Sequence, residues 1–273
     1  MIIKQGEKTM WKWEVEEPKG VVVLVHGAAE HHGRYMWLVK KWNSIGMNVI
    51  MGDLPGQGNV PRKKRGHIRS FQEYLEEIYS WIELASEYKL PIFLFGHSMG
   101  GLAVIRLLQE KVLPIKAVIL SSPCLALVDE PPTILDVLTR GLNCIIPSLR
   151  VDNNLSVSKA TRNEDIQKQD EHDSLYVTKV SVRWYRELVK AMKLAFRNID
   201  KLPNVPVLLL QGGDDKIVDK HYVSKWFNKV NSSEKVYKEW EHLYHEVFNE
   251  PEREEVFQYT RRFVETHIKG TEI

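Results

Sequence analysis

The 273-residue sequence reads as an α/β fold, a mostly parallel sheet with crossover helices and one helical insertion. Three observations carry that reading. Short continuous apolar runs, among them "VVVLVHG", "PIFLFGHSMGG" and "VPVLLLQGGDD", have the composition of strands buried on both faces. Stretches of helical apolar spacing near 34–46, 70–88 and 99–111 separate them, so strand and helix alternate. The interval from Pro123 to Asn204 then breaks the rhythm, since it is far longer than a single crossover requires.

In chain order, "TMWKWEV" alternates as one edge strand and the turn "EEPKG" follows it. The inner strands come next, each ending in a glycine-rich or polar turn; "KVYKEW" is the last strand, and a final helix starts near Pro251. Within the long interval Ile134, Leu135, Val137, Leu138, Leu142, Ile145 and Ile146 share one helical face, and "VSVRWYRELVKAM" forms another helix. The expected division is a core over 1–122 and 205–273 with a helical cap, or lid, over 123–204. The cap stripe either covers the top of the core or lines a tunnel.

A hydrophobic share of 43% supports a packed interior, and a formal charge of +2 lacks the strong field of a nucleic-acid binder. Cys124 and Cys144 make no disulfide framework and read as buried thiols in a reducing compartment. The opening "MIIKQGEKTM" has no apolar signal region, and the longest aliphatic run, Val21 to Val25, is too short to span a bilayer. A cytoplasmic protein is expected. Any membrane contact would be peripheral, with the basic run Arg62, Lys63, Lys64, Arg65 as its candidate; a solvated loop is the plainer reading.

The stretch "FLFGHSMGGLAV" matches G-x-S-x-G between a buried strand and a helix. That layout exposes the Ser98 hydroxyl on a sharp turn, demands small residues at Gly96 and Gly100, and sets the Met99 NH at a helix N-terminus, where it favours developing negative charge. A second oxyanion donor is needed from an earlier strand end; "VLVHGAAEHHGRY" supplies the Ala28 NH, with His26 as a packed, hydrogen-bonded histidine. After a serine elbow the chain order is acid, then histidine. Asp214, Asp215 and Asp219 follow the strand "VLLLQ"; Asp215 is preferred, and Asp219 suits a helix cap. His242 and His245 follow the last strand in "EWEHLYHEVFNEPE", where a loop histidine can reach the serine. Metal binding by that pair is disfavoured because H-E-x-x-H spacing is absent. "DEHD", Asp170 to Asp173, reads as an exposed polar cap loop.

From about Trp11 to Ile268 the chain resembles the monoglyceride-lipase and lysophospholipase-like serine hydrolases of the α/β-hydrolase superfamily, and it is closer to the bacterial phospholipase-like members than to the glyceride lipases. The resemblance rests on "HGAAEHHGRY", "GDLPGQG", "RGHIRSFQEYLEE", "GHSMGG", "LLLQGGDDKIVD" and "LYHEVFNEPER". It implies Ser98 as nucleophile, Asp215 as acid, His245 rather than His242 as base, and Ala28 and Met99 as oxyanion donors. It also makes Glu30 and Arg34 head-group candidates, with a buried ion pair as the equal alternative. Phe248 stands where some relatives place a histidine near glycerol, and Gly56-Gln57-Gly58 replaces the usual G-H-G. A lipid ester, a phospholipid, lysophospholipid or monoacylglycerol, is the implied substrate, with no cofactor or metal. A peptidase of the same fold, similar to prolyl aminopeptidases, and a non-catalytic binding protein are the alternatives. An acidic pocket for an amine would favour the first of these, an apolar tunnel the lipase.

Overall fold

The structure, a computed structural model, describes residues 2–5, 8–129, 133–153 and 155–269. At the N-terminus β1 (Ile2–Gln5) and β2 (Lys8–Trp13) form an antiparallel hairpin, so the single expected edge strand is paired on its outer side by a second. Then β3 (Gly20–Val25), α1 (Met36–Ser44), β4 (Met47–Gly52), α2 (Gln72–Ser86), β5 (Ile92–His97), α3 (Met99–Glu110) and β6 (Ala117–Ser121) alternate as read from the sequence. The long interval holds α4 (Thr133–Ile145), β7 (Arg150–Asp152), α5 (Val157–Ala160), α6 (Glu164–Glu171), β8 (Lys179–Ser181) and α7 (Val182–Arg197). The chain closes with β9 (Val207–Gly212), α8 (Lys220–Lys229), β10 (Lys235–Trp240) and α9 (Arg253–Lys269).

Eight strands form one sheet in the order β1-β2-β4-β3-β5-β6-β9-β10, parallel from β4 to β10 and antiparallel at the β1-β2-β4 edge. The period of two along β3 distributes its side chains: Val21, Val23 and Val25 join the core under α2, α3, α7 and α8, while Val22 and Leu24 join the core under α1 and α9. Covering both faces explains why β3, β5 and β9 are unbroken apolar runs rather than alternating ones.

The interval is less purely helical than expected, because β7 and β8 pair as a short antiparallel ladder. By packing, α7 sits with the crossover helices: Trp184, Leu188, Ala191, Met192 and Ala195 are buried in the larger core, and the Gln109 amide donates to Ala195 O at 2.8 Å. Its cap is Ser181, whose hydroxyl accepts from Trp184 N at 3.1 Å. The stripe on α4 behaves differently from a core face. Val137, Leu138, Ile145 and Ile146 are 48–77% exposed, whereas the side chains of Ile134 and Leu135 lie outside the described residues. Among the described residues no helix is long and apolar enough to cross a membrane.

Candidate active site

At the C-terminal end of β5 the chain turns into α3 within one residue, Ser98, whose backbone lies at φ 51°, ψ −119°. An L-residue adopts that conformation only when its surroundings hold it there. Ser98 N donates to Ser121 O and Cys124 N donates to Ser98 O, both at 2.9 Å. The turn also admits no side chain on its inner face: a Cβ at Gly96 would meet Gly101 Cα at 2.7 Å, and one at Gly100 would stand 2.4 Å from the carbonyl oxygens of Val25 and His26. As the first residue of α3, Met99 has an NH with no acceptor inside the helix.

Beside this turn runs the loop after β3. A Cβ at Gly27 would come within 3.1 Å of Ser98 Cβ, which shows how near the serine the Ala28 peptide passes. Glu30 carboxylate accepts from Gly27 N at 2.6 Å and from Tyr35 Oη at 2.7 Å, and Val177 N donates to Ala29 O at 3.1 Å. His26 accepts from Leu54 N at Nε2 (2.8 Å), so its proton is on Nδ1 beside Gly27 O; the ring is fully buried, and burial pushes its pKa down. It is a packing histidine, as expected.

The turns after β9 and β10 are tied together by Gly213 N donating to Trp240 O (2.8 Å) and Asp214 N to Leu243 O (3.0 Å). Two Asp–His pairs result, and burial separates them. Asp215 and His245 side chains are 0% and 4% exposed, with His245 Nδ1–H donating to Asp215 Oδ2 at 2.8 Å. Asp214 and His242 are 56% and 80% exposed and 3.6 Å apart. His242 thus stands open to solvent while His245 is buried against Asp215. Asp219 caps α8, its carboxylate accepting from His221 N at 2.8 Å.

Burial alone would raise the Asp215 pKa, but His245 and the NH groups of Val218 and Ile217 outweigh it and hold the carboxyl below its ordinary value. For His245, burial pulls down while Asp215 pulls up, and the net is a raised pKa. The His245 ring lies 4.9 Å from that of His97, the residue before Ser98. His97 Nδ1 sits 3.1 Å from Ser121 O, and burial lowers its pKa.

Glu30, Arg34 and Phe248 line one small cavity beside His97, and each is held there by protein partners. The Arg34 side chain is 3% exposed and its guanidinium bonds Glu30, Asp170 and Glu246 together. Burial alone would raise the Glu30 pKa, but Arg34, His97, the Tyr35 hydroxyl and His26 together hold it well below its ordinary value, whereas Asp170 stays above its own because burial dominates. The ion-pair reading of Glu30 and Arg34 is thus the one the geometry fits. Phe248 packs edge-on against Phe95 at 5.3 Å in the core. "DEHD" is also corrected: Asp170 is buried on Arg34, and Asp173 binds His31, because the loop after β3 needs counter-charges from the cap. Cys124 is buried and pushed up to about 12, first by burial; Cys144 is exposed, contrary to expectation, because its helix keeps one face open.

The sequence reading passed over Gln211, fully buried at the end of β9, whose amide donates to Asp215 Oδ2 at 2.9 Å. A lone polar residue in the apolar run "VLLLQ" was the available signal. Glu246 and Asp170 were also missed; they are acidic residues in acid-rich stretches, and nothing local marks them.

Residues 16–252 match the family described as serine aminopeptidase, S33. The chain is 54% identical over 260 residues to phospholipase YtpA of Bacillus subtilis, covering 95% of this chain and all of that protein. It is 29% identical over 239 residues to the monoglyceride lipase of Homo sapiens, 85% of this chain and 77% of that one. The crystal structure of a monoacylglycerol lipase from Paleococcus ferrophilus superposes with a TM-score of 0.87 at 34% identity, covering 96% of this chain and 100% of that one. The elbow, the parallel sheet and these likenesses agree: the chain belongs to the S33 serine aminopeptidase family of α/β-hydrolases.

Proposed function

We propose that the protein is a serine esterase that hydrolyses lipid carboxylic esters through an acyl-enzyme. Ser98 attacks the ester carbonyl; His245 takes the hydroxyl proton and then gives it to the leaving alcohol; Asp215 holds the imidazole. The NH groups of Ala28 and Met99 receive the oxyanion, and water, deprotonated by His245, releases the acid. The single observation that carries this reading is the buried Asp215–His245 pair, with its ring against the residue preceding a strained elbow serine.

A phospholipid, lysophospholipid or monoacylglycerol is the substrate class. Relatives named phospholipase and monoacylglycerol lipase support it. A peptidase would need an open acidic group for a substrate amine. Glu30 and Glu246 line the cavity of about 20 Å³ beside His97, but both already accept hydrogen bonds from the buried Arg34 guanidinium rather than standing open to an amine, which disfavours that reading. Fluorophosphonate labelling followed by a panel of monoacylglycerol, lysophospholipid, diacyl phospholipid and aminoacyl substrates tests the proposal. Fatty acid release is expected; amino acid release without fatty acid would overturn it.

The interval 123–204 acts as the cap, joined to the loops after β3 and β10 by Arg34–Asp170 and by Glu246 N donating to Ala160 O at 2.8 Å. Its outer face meets membranes peripherally. Of the ten exposed large hydrophobics among the described residues, seven lie between Val128 and Val151, which is more than scattered surface residues would give. The basic turn at Arg62, Lys63 and Lys64 adjoins them, since Arg150 Nη2 donates to Lys63 O at 2.6 Å and Arg65 Nη1 to Ser174 O at 2.7 Å. A cytoplasmic location accords with the free thiols of Cys124 and Cys144. Sedimentation with phosphatidylglycerol vesicles checks the surface: replacing Arg62, Lys63 and Lys64 by alanine weakens binding roughly a hundredfold at low salt, at about 1 kcal/mol per cation. Unchanged binding by the triple variant would remove the basic turn from the surface.

A further inference from the structure

We propose that Gln211 is a positioning residue for Asp215 and, through it, for His245; the inference rests on the esterase reading. Asp215 carboxylate has four donors. Oδ1 accepts from Ile217 N and Val218 N, each at 2.9 Å, while Oδ2 accepts from His245 Nδ1 at 2.8 Å and from Gln211 Nε2 at 2.9 Å. The paired NH groups make Oδ1 a pivot. Oδ2 is then kept in place by His245, which gains and loses a proton in every turnover, and by Gln211, whose donation is the same in every protonation state. The amide therefore keeps the carboxylate plane aimed at the imidazole while the imidazole changes charge.

Two further observations separate this role from simple packing. The amide cannot turn round, because its oxygen would then face the Asp215 carboxylate. In the orientation it has, Gln211 Oε1 is buried without a partner. An unpaired buried acceptor costs stability, and a leucine or methionine at this apolar strand position would avoid that cost. The donation also stabilises the Asp215 anion, so it limits how far Asp215 can raise the basicity of His245.

The test compares pH profiles of kcat/KM on a soluble short-chain ester. Gln211→Met removes the donor at similar length. Its kcat should fall roughly tenfold to a hundredfold, as when one hydrogen bond that orients a functional group is lost, with KM little changed. Its acid limb should move up by roughly half a unit to one unit, since the Asp215 anion is less stabilised. Gln211→Glu is isosteric; beside ionised Asp215 its carboxyl keeps a proton and donates in place of the amide, restoring most of kcat at neutral pH and losing it in alkali. In an Asp215→Asn background Gln211→Met should add no further loss.

A Met variant with wild-type kcat and limb, or with the same loss in both backgrounds, overturns the inference. Should Gln211→Met not fold, a Glu variant with no alkaline loss overturns it equally. Failure of the esterase reading looks different: Ser98→Ala would then keep turnover, whereas a dead Ser98→Ala beside an unaffected Gln211→Met defeats the inference about Gln211 alone.

Discussion

Replacing Ser98 by alanine removes ester hydrolysis by about a millionfold in kcat, the loss seen when a nucleophile that works as part of a unit is deleted. The fold survives, because the Ser98 backbone contacts to Ser121 and Cys124 do not involve the hydroxyl. His245→Ala should cost nearly as much, and the double variant little more, since either change alone disables proton transfer and attack together. His242→Ala should stay within about twofold, as expected of a solvent-exposed side chain outside the network. Hydrolysis rates, fluorophosphonate labelling and thermal midpoints check these outcomes. Labelling that persists in Ser98→Ala, or a collapse caused by His242→Ala instead of His245→Ala, would contradict the assignment.

Asp215→Asn should lower kcat by about 10⁴-fold, because an amide in place of the carboxylate favours the wrong imidazole tautomer. It also moves the pH profile, and the sign follows from the structure. In the proposed mechanism His245 must be neutral to act, and its pKa is raised, so the wild-type acid limb should lie above the ordinary histidine value of about 6.5. Removing the Asp215 charge removes the main raising influence and leaves burial, which pulls the other way; the residual activity of Asp215→Asn should therefore persist to lower pH. The pair contributes to stability in a matching window. The Asp215 share is present above its unfolded pKa and is lost as pH falls through its depressed folded value. The His245 share is complete below its unfolded pKa and is lost as pH rises through its raised folded value. A limb in Asp215→Asn at or above the wild-type position would refute this electrostatic account.

Much of the fold was readable because its signals are local. A strand covered on both faces must be apolar throughout, so β3, β5 and β9 announce themselves in a few residues. An elbow that brings a Cβ position within 2.4 Å of two carbonyls must carry glycine, so Gly100 marks the turn and Ser98 with it. The α4 stripe misled for the opposite reason: apolar spacing reports a helix face but not what, if anything, covers it. The β7–β8 ladder escaped notice because three-residue strands leave no period to read.

The linear order of residues was enough to settle the parallel sheet, the elbow at Ser98 and the two turns that hold the aspartates and histidines. It preferred Asp215 to Asp214 and, through the family resemblance alone, His245 to His242, since neighbours in sequence look alike. Three-dimensional packing separated them by burying one pair and exposing the other. It also joined Arg34 to Asp170 and Glu246, which lie 136 and 212 residues away along the chain, and Gln211 to the far side of Asp215. A buried charge or amide must find its partner wherever the fold brings one, and that partner leaves no periodic trace in the sequence.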